Sequence, residues 1–473
     1  MNSKEQKIDI NDLVCTDSGN AECFAKIHDN NVIYNHSNKK WYMWNGQYWE
    51  PDDTQHIKQL GKIVARKIKK KARKLDDPDK SEKLFKHGVN LESRHKLNNM
   101  LNLARSEPAI AKGQCDLNQQ NYLLQFNNGV YDLKNDNFRD GRPSDYITQT
   151  VGYDYDETAD CPRFEQFLEE IFNSNQKLID YIHKYIGYTI SGDISDQSFL
   201  LLHGSGSNGK SVFLETLRIL LGDYASNTSF DTFETQYSDA STNDIARLNE
   251  SRLVTCSELS GQEKKFNTER IKAVTGGEVL TARFLYQEYF EFMPKFKVYL
   301  AVNNLPEVSD DSYGFWRRVR LIPFSQRFEG ENCDKNLIDK LKAEIQGIAN
   351  FAIEGHEKYQ ETGLIPPNIV STVTAEYNDD EGLIDRWLRE NTVKVEKDDY
   401  QTSFYNMYAD YESWITENFE NIETATKTKM GRYLSKIPYL EKEKKGGDVF
   451  YRGIRLKGEM SLAKIRKRNS QIY

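Results

Sequence analysis

The run His203-Gly204-Ser205-Gly206-Ser207-Asn208-Gly209-Lys210-Ser211 concentrates more chemistry than any other stretch of this 473-residue chain. Its spacing, G-x-x-x-x-G-K-[ST], suits a nucleoside triphosphate with magnesium. Glycines let backbone N–H groups converge on phosphate oxygens, Lys210 adds a point charge and the Ser211 hydroxyl ligates the metal. All eight residues from Gly204 to Ser211 are therefore candidate phosphate contacts. Three more groups follow at spacings that suit hydrolysis. Arg252 to Ser257 reads as a buried strand ending in Glu258, a carboxylate placed to orient water and support magnesium. Phe296 to Val302 reads as a strand ending in Asn303, whose amide can hydrogen-bond both the terminal phosphate and the attacking water. Arg317 and Arg318 precede a further strand, Val319 to Phe324, and planar guanidinium neutralises charge on a transferring phosphoryl group, often from a neighbouring subunit.

Rigid elements must hold these groups in place. The apolar run Ser198 to Leu202 predicts a strand before the loop, and Val212 to Leu221 a helix after it, with the positive end of the helix dipole toward the phosphates. Upstream, Phe164, Phe167, Leu168, Ile171 and then Leu178, Tyr181, Ile182, Tyr185 and Ile186 predict a helical collar over residues 161–190. An N-terminal α+β module fills residues 1–160. Its Trp41 to Trp49 stretch reads as an aromatic hairpin with a two-residue type I′ turn at Asn45-Gly46, and its tryptophans as a small core rather than a base-stacking surface. Lys58 to Lys74 reads as a helix with apolar stripe Leu60, Ile63, Val64 and Ile68; its basic face is either solvated or a phosphate contact. The nucleotide core is expected over 191–330, a helical extension and linker over 331–367 with Pro366-Pro367 near its end, and a separate unit over 368–473.

Composition narrows the class. Sixty-four Lys and Arg against 72 Asp and Glu give a formal charge of -8, which excludes an all-over polycation and sends the search for nucleic-acid contacts to local clusters. The six cysteines are scattered with no C-x-x-C pair, so neither a zinc ribbon nor a disulfide framework is implied, and a reduced cytoplasm is the expected setting. No apolar stretch approaches the roughly 20 residues of a bilayer span, so no membrane partner is expected.

The ordered set of loop, acid strand, asparagine strand and paired arginines resembles the superfamily 3 helicases, an AAA+ class of replication motors. The branch it is most similar to is the primase-helicase family of phages, plasmids and poxviruses, also encoded by mobile genetic islands. That branch carries the loop form G-x-G-x-N-G-K-S, here Gly204 to Ser211, and a second hallmark that reads here Ile271-Lys272-Ala273-Val274-Thr275-Gly276-Gly277-Glu278-Val279-Leu280-Thr281-Ala282-Arg283. One departure is Ser257, which stands where relatives often carry the first of two acids. The resemblance implies an AAA+ P-loop core with a central parallel sheet, ATP and Mg2+ as cofactors with Ser211 and Glu258 at the metal, a hexameric ring, and 3′ to 5′ movement on single-stranded and forked DNA. Arg318, supported by Arg317, would complete the neighbouring subunit's site. A hairpin before the asparagine strand would follow the DNA backbone, with its tip near Tyr286-Gln287-Glu288 and with Lys272 and Arg283 as phosphate contacts on the same element; intersubunit salt bridges are the alternative for these two cations.

In the C-terminal unit, Thr402 to Phe419 reads as one helix and about Thr424 to Ile437 as a second, followed by two strand-like runs around Lys445-Gly446-Gly447-Asp448. That order is winged-helix-like, with Lys427, Lys429, Arg432 and Lys436 on the recognition helix and a basic tail of Lys464, Arg466, Lys467 and Arg468. Such a unit serves either origin duplex DNA or protein contacts. The leading expectation is a ring-forming replicative helicase. A small-molecule P-loop kinase and an ATP-switched origin-binding initiator with little hydrolysis are the alternatives, and no primer synthesis is expected of this chain alone.

Overall fold

A computed structural model describes residues 14–113, 116–234, 243–257, 265–285, 288–306, 308, 312–330, 333–378, 380–396, 401–418 and 424–457. The chain divides into two compact units, residues 1–310 with 317–367 and residues 311–316 with 368–473. The first unit opens with α1 (Asp17–Ile27), begun where the Thr16 side chain accepts the Gly19 N–H. Strands β1 (Val32–Asn35), β2 (Lys40–Trp44) and β3 (Trp49–Pro51) form an antiparallel meander. After α2 (Ile57–Ala72), α3 (Pro78–Leu91) and α4 (Arg94–Ala104), β4 (Ala111–Lys112) joins β1 in parallel. Phe24, Val64, Ile68 and Met100 of the helices share one core with Val32, Tyr34 and Trp41 of the sheet.

The aromatic hairpin differs from a two-residue type I′ turn. Trp44 pairs with Trp49, leaving a four-residue loop in which only Gly46 has positive φ, 106°. The Asn45 side-chain oxygen accepts the N–H groups of Gln47 and Tyr48, both at 2.9 Å, so a side chain closes the turn instead of a strained backbone pair. Trp41 and Trp49 are buried in the module.

A second antiparallel sheet, β5 (Leu123–Phe126), β6 (Gly129–Asp132) and β7 (Asn137–Arg139), leads to helices α5 (Pro162–Ile171) and α6 (Gln176–Ile190). The core follows: β8 (Phe199–His203), α7 (Lys210–Leu221), β9 (Ala225–Thr228), α8 (Asn243–Ala246), β10 (Leu253–Ser257), α9 (Thr268–Gly276), a hairpin of β11 (Leu280–Ala282) and β12 (Phe290–Phe292), then β13 (Lys297–Val302). After α10 (Tyr313–Trp316), which groups with the second unit, β14 (Val319–Pro323) completes the sheet. The five strands run parallel in the order β14-β8-β13-β10-β9. Burial on both faces explains why Phe199 to Leu202 is a continuous apolar run; each of the four is 0% exposed.

Two helices, α11 (Leu337–Ala343) and α12 (Ile345–Thr362), close the first unit, and α12 folds back along α6. Glycines allow that approach: a Cβ on Gly187 would lie 2.0 Å from the His356 nitrogen, and one on Gly355 would lie 2.3 Å from the His183 oxygen. His183 stacks on Phe351 with ring centroids 3.7 Å apart.

The second unit contains α13 (Asn368–Asn378), α14 (Asp380–Asn391), β15 (Thr392–Lys394), β16 (Gln401–Ser403), α15 (Phe404–Asn418), α16 (Lys427–Lys436), β17 (Glu441–Lys445), β18 (Asp448–Arg452) and β19 (Ile454–Leu456). Its core gathers Ile384, Trp387, Met407, Tyr411, Met430 and Leu434. Thr402, expected to open a helix, instead lies in β16, where it pairs with Tyr451 of β18 and its hydroxyl donates to the Ile454 carbonyl at 2.9 Å. The helix starts two residues later, and Phe419 lies outside the described residues.

Candidate nucleotide site

The phosphate loop leaves the C-terminal end of β8 and enters α7. Positive φ at Gly206 (99°), Ser207 (49°) and Gly209 (89°) bends the backbone so that consecutive N–H groups turn to one side. Space at the loop is tight. A Cβ on Gly204 would lie 2.2 Å from Asn208 Nδ2 and 2.4 Å from the Phe324 carbonyl oxygen, and one on Gly209 would lie 2.6 Å from Ile171 of α5. Gly209 caps α7 with no side-chain hydrogen bond, so the first turn presents its N–H groups outward beside the exposed Ser211. These features fit a polyphosphate with a divalent cation.

Lys210 is 6% exposed. Its ammonium donates to the Gly204 carbonyl at 2.5 Å, to Asn208 Oδ1 at 3.2 Å and to Asn303 Oδ1 at 3.2 Å. Asn303 reaches it because β13 lies directly beside β8, with Val302 opposite His203. Asn208 also donates to the Phe324 carbonyl at 3.3 Å, tying the loop to the end of β14. Sequence reading placed Asn208 in the motif; this tie depends on tertiary pairing. Ser257, at the end of β10, pairs with Ala301 of β13. Glu258 itself lies outside the described residues, as do Tyr286 and Gln287 at the hairpin tip and the basic tail at Lys464, Arg466, Lys467 and Arg468. Among the described residues, no group of three or more His, Cys, Asp or Glu side chains forms a metal cluster.

Arg317 and Arg318 occupy the other edge of the sheet. In β14, Val319 pairs with Phe199 and Pro323 with His203, so the arginines stand at the N-terminal end while the loop lies at the C-terminal end. Four strand steps separate the two, about 13 Å. Gln197 Oε1 accepts from Arg317 at 2.5 Å and from Arg318 at 3.5 Å, and Gln197 donates to the Gly276 carbonyl at 3.0 Å. A Cβ on Gly276 would come within 3.3 Å of Arg318, so the glycine pair lets α9 end against the guanidinium. Burial, with the nearby charge of Arg317, draws the Arg318 guanidinium below its ordinary pKa, and Glu278 opposes this. Gln197 was not singled out in the sequence; a lone polar residue before an apolar strand carries no motif.

The remaining candidates separate by element. Lys272 lies on α9 and Arg283 follows β11 on the hairpin, so the two are not on one element as their shared motif suggested. The motif runs through a helix end at Gly277 (φ 75°) before the hairpin begins. Arg283 sits over the Tyr289 ring at 4.7 Å. In the second unit, α16 carries Lys427, Lys429 and Arg432; Lys427 lies 5.2 Å from the Tyr408 ring, Lys429 is half-buried and Arg432 exposed.

In the sequence, Arg252 and Lys297 stand only as members of strand patterns, the first residue of one and the second of the other. Both are buried at the N-terminal edge of the sheet. Arg252 donates to the carbonyls of Ile190 (2.6 Å), Gln120 (3.2 Å) and Leu123 (2.6 Å) and lies over Tyr224 at 4.3 Å. Lys297 donates to the Ser191 carbonyl at 2.5 Å and lies over Tyr188 at 4.5 Å. Burial holds both below their ordinary pKa values. A charge opening an apolar strand is the only sequence signal for them.

Two family descriptions match the chain: "D5 N terminal like" over residues 21–173, and a family of unknown function (DUF5906) over residues 202–318. "Putative helicase L207/L206" of Acanthamoeba polyphaga mimivirus is 31% identical over 326 residues, 64% of this chain and 34% of that protein. "Putative helicase 121R" of Invertebrate iridescent virus 3 is 22% identical over 483 residues, covering 86% of this chain and 51% of that one. The chain thus spans between a third and about half of the length of these curated relatives. Among solved structures, the apo NrS-1 C-terminal region (305-718) aligns with a TM-score of 0.43 at 11% identity, over 90% of this chain and 96% of that chain. No helix among the described residues is long and apolar enough to cross a membrane.

Proposed function

We propose that the chain is an ATP-dependent replicative DNA helicase of the superfamily 3-type primase-helicase family of phages and viruses, with an AAA+ core that works as a ring, a reading supported by its match to the D5 N-terminal-like family and to viral proteins named as helicases. The observation that carries this reading is the division of the parallel sheet. One edge joins Lys210 to Asn303, and the other holds Arg317 and Arg318 about 13 Å away. An arginine side chain cannot span that distance to its own loop. That distance supports a role for the pair at the nucleotide of an adjacent subunit, and the family resemblance supports a hexamer moving 3′ to 5′.

Within the site, the loop N–H groups and the first turn of α7 hold the phosphates, and Lys210 shifts from its neutral acceptors onto them. Asn303 orients the attacking water, and Glu258 accepts its proton. Ser211 and Glu258 would hold magnesium, which would supply positive charge to the phosphate oxygens. Hydrolysis at the interface moves the β11–β12 hairpin along single-stranded or forked DNA, with Arg283 and Lys272 near its path. In the second unit, the β16-β18-β17 sheet with α15 and α16 supports a winged-helix-like reading in which Lys427, Lys429 and Arg432 meet duplex DNA at an origin. The free thiols of Cys15, Cys23, Cys161, Cys256 and Cys333 suit a cytoplasmic setting.

The test is unwinding of forked duplexes bearing one 3′ or one 5′ tail, with ATP and magnesium and with Lys210→Ala as control. The expected result is displacement from the 3′-tailed substrate alone. Failure on both tails overturns the helicase reading, and turnover indifferent to DNA favours a small-molecule kinase.

A further inference from the structure

The basic helix α2 is a surface that the motor reading leaves without a task. Between Asp53 and Asp76 the chain contains nine lysines and arginines and no acid, although its overall formal charge is -8. The helix buries one face completely. Ile57, Gly61, Val64, Ala65, Ile68 and Ala72 are its buried positions, and a Cβ on Gly61 would lie 2.8 Å from Leu97 of α4. At 100° per residue, Lys62, Arg66, Lys67, Lys70, Arg73 and Lys74 then fall within an arc of about 140° on the opposite face. From Lys62 to Lys74 this stripe runs about 18 Å.

The stripe is not consumed by internal ion pairs. Carboxylates of this module take Lys40, Lys69, Lys80, Lys86 and Lys96, and among the described residues none lies within 4.0 Å of Lys62, Arg66, Lys67, Lys70 or Lys74. Arg66, Lys67, Lys70 and Lys74 are exposed. Lys67 belongs to the same positive field as Lys26 and Lys71, since all three act on the buried thiol of Cys23, drawing it down against the upward push of burial.

The composition of the face selects the partner. A protein interface centres on apolar and aromatic groups and is depleted in lysine, the reverse of this stripe. A single-strand platform needs aromatic rings to stack bases. Over residues 14–113, no described Phe, Tyr or Trp is exposed, and α2 contains none. A row of cations without stacking surfaces suits the sugar–phosphate backbone of a duplex, read without regard to sequence. We propose that the outward face of α2, through Arg66, Lys67, Lys70 and Lys74, binds duplex nucleic acid by phosphate contacts outside the motor.

The proposal is tested on the full chain carrying Lys210→Ala, without nucleotide, on a blunt duplex lacking tails. Hydrolysis then plays no part, and the motor reading is judged separately by unwinding with the wild-type loop. Two quadruple variants are compared with the parent: one with Gln at positions 66, 67, 70 and 74 (R66Q, K67Q, K70Q, K74Q), the other charge-preserving (R66K, K67R, K70R, K74R). Each lost phosphate contact lowers the slope of log K against log salt by about 0.9, so the glutamine variant, which loses four, is expected to lose about 3.6 units of slope and at least tenfold in low-salt affinity. The charge-preserving variant should bind as the parent does. Unchanged duplex binding by the glutamine variant overturns the proposal, as does equal loss in both variants. A loss confined to single-stranded DNA or to anionic vesicles assigns the face to that ligand instead and also overturns it.

Discussion

The two edges of the parallel sheet hold buried cations on oxygen acceptors in different ways. At the C-terminal edge, the partners of Lys210 include one loop carbonyl and the side-chain oxygens of Asn208 and Asn303. These acceptors are neutral, and they sit on a loop whose N–H groups turn to one side. At the N-terminal edge, Arg252 and Lys297 grip carbonyls of Gln120, Leu123, Ile190 and Ser191, contributed by the N-terminal module and the end of α6, and their charges lie over Tyr224 and Tyr188. The two strands concerned are the same at both edges, since β10 leads to Glu258 and β13 leads to Asn303. The difference teaches which cation is available. An anionic phosphate outcompetes the amide oxygens around Lys210 because it brings charge, whereas displacing the carbonyls at the other edge would pull the module from the core. One edge binds; the other anchors.

The largest effect that sharpens this contrast is Lys210→Ala, expected to lower ATP turnover by more than about 100-fold, comparable to removing one transition-state donor. Its urea-unfolding midpoint should shift little, because the cost of burying the Lys210 charge offsets much of what its partners contribute. Arg252→Met should do the reverse. Three carbonyls lose a donor, at about 1–3 kcal/mol for each group left unsatisfied, so unfolding free energy should fall by about 3 kcal/mol or more while ATP affinity of the folded protein is kept. A normal midpoint with lost turnover in Arg252→Met would break the division between edges. The arginine pair adds a third arm: mixing Lys210→Ala with Arg318→Ala subunits should recover part of the ATPase at mixed interfaces, and no recovery at any ratio would remove the trans assignment.

The two edges were unequally legible in the sequence. At the phosphate loop, each residue type is dictated by local needs, glycine for positive φ and lysine for charge, so Gly204 to Ser211 could be read in order and the strand and helix around it followed from apolar periodicity. The acceptors of Arg252 and Lys297 are main-chain carbonyls, which every residue possesses, so no pattern in the chain points to Gln120 or Ser191. The same limit explains the Asn45 turn. An Asn-Gly pair favours positive φ, but the register of Trp44 with Trp49 made room for a four-residue loop closed by the Asn45 side chain. Thr402 is a third case: its helical spacing was real from Phe404 onward, but pairing with β18, far along the chain, claimed the first residues.

Acidification should loosen the anchoring edge before the binding edge. His356, whose Nδ1 lies 3.0 Å from the Gly187 carbonyl oxygen, is held at about 4 against an ordinary 6.5, chiefly by burial, with Lys297 and Arg252 adding to the depression. The unfolded chain takes up a proton below pH 6.5 that the folded chain refuses until about pH 4, so stability present above 6.5 is lost across that window. The full loss is on the order of 3 kcal/mol at the acid limit. His28 in the N-terminal module, also at about 4, contributes a slope of the same sign. Urea unfolding followed from pH 7 to 4.5 should therefore be less pH-dependent in His356→Gln, though not flat. An unchanged slope would detach His356 from the anchor.

The smallest effect probes the binding edge from within. Asn208 holds Lys210 through one amide atom and the Phe324 carbonyl through the other. If it only shapes the loop, Asn208→Ala removes binding that the ground and transition states share. KM for ATP should then rise about fivefold, the equivalent of one hydrogen bond near 1 kcal/mol, with kcat within about twofold of the parent. A fall in kcat approaching that of Lys210→Ala would instead mean that Asn208 aims the lysine during phosphoryl transfer. The neutral acceptors around Lys210 would then be part of the chemistry and not simply groups that yield to phosphate. Steady-state ATPase kinetics across ATP concentrations separate the two outcomes.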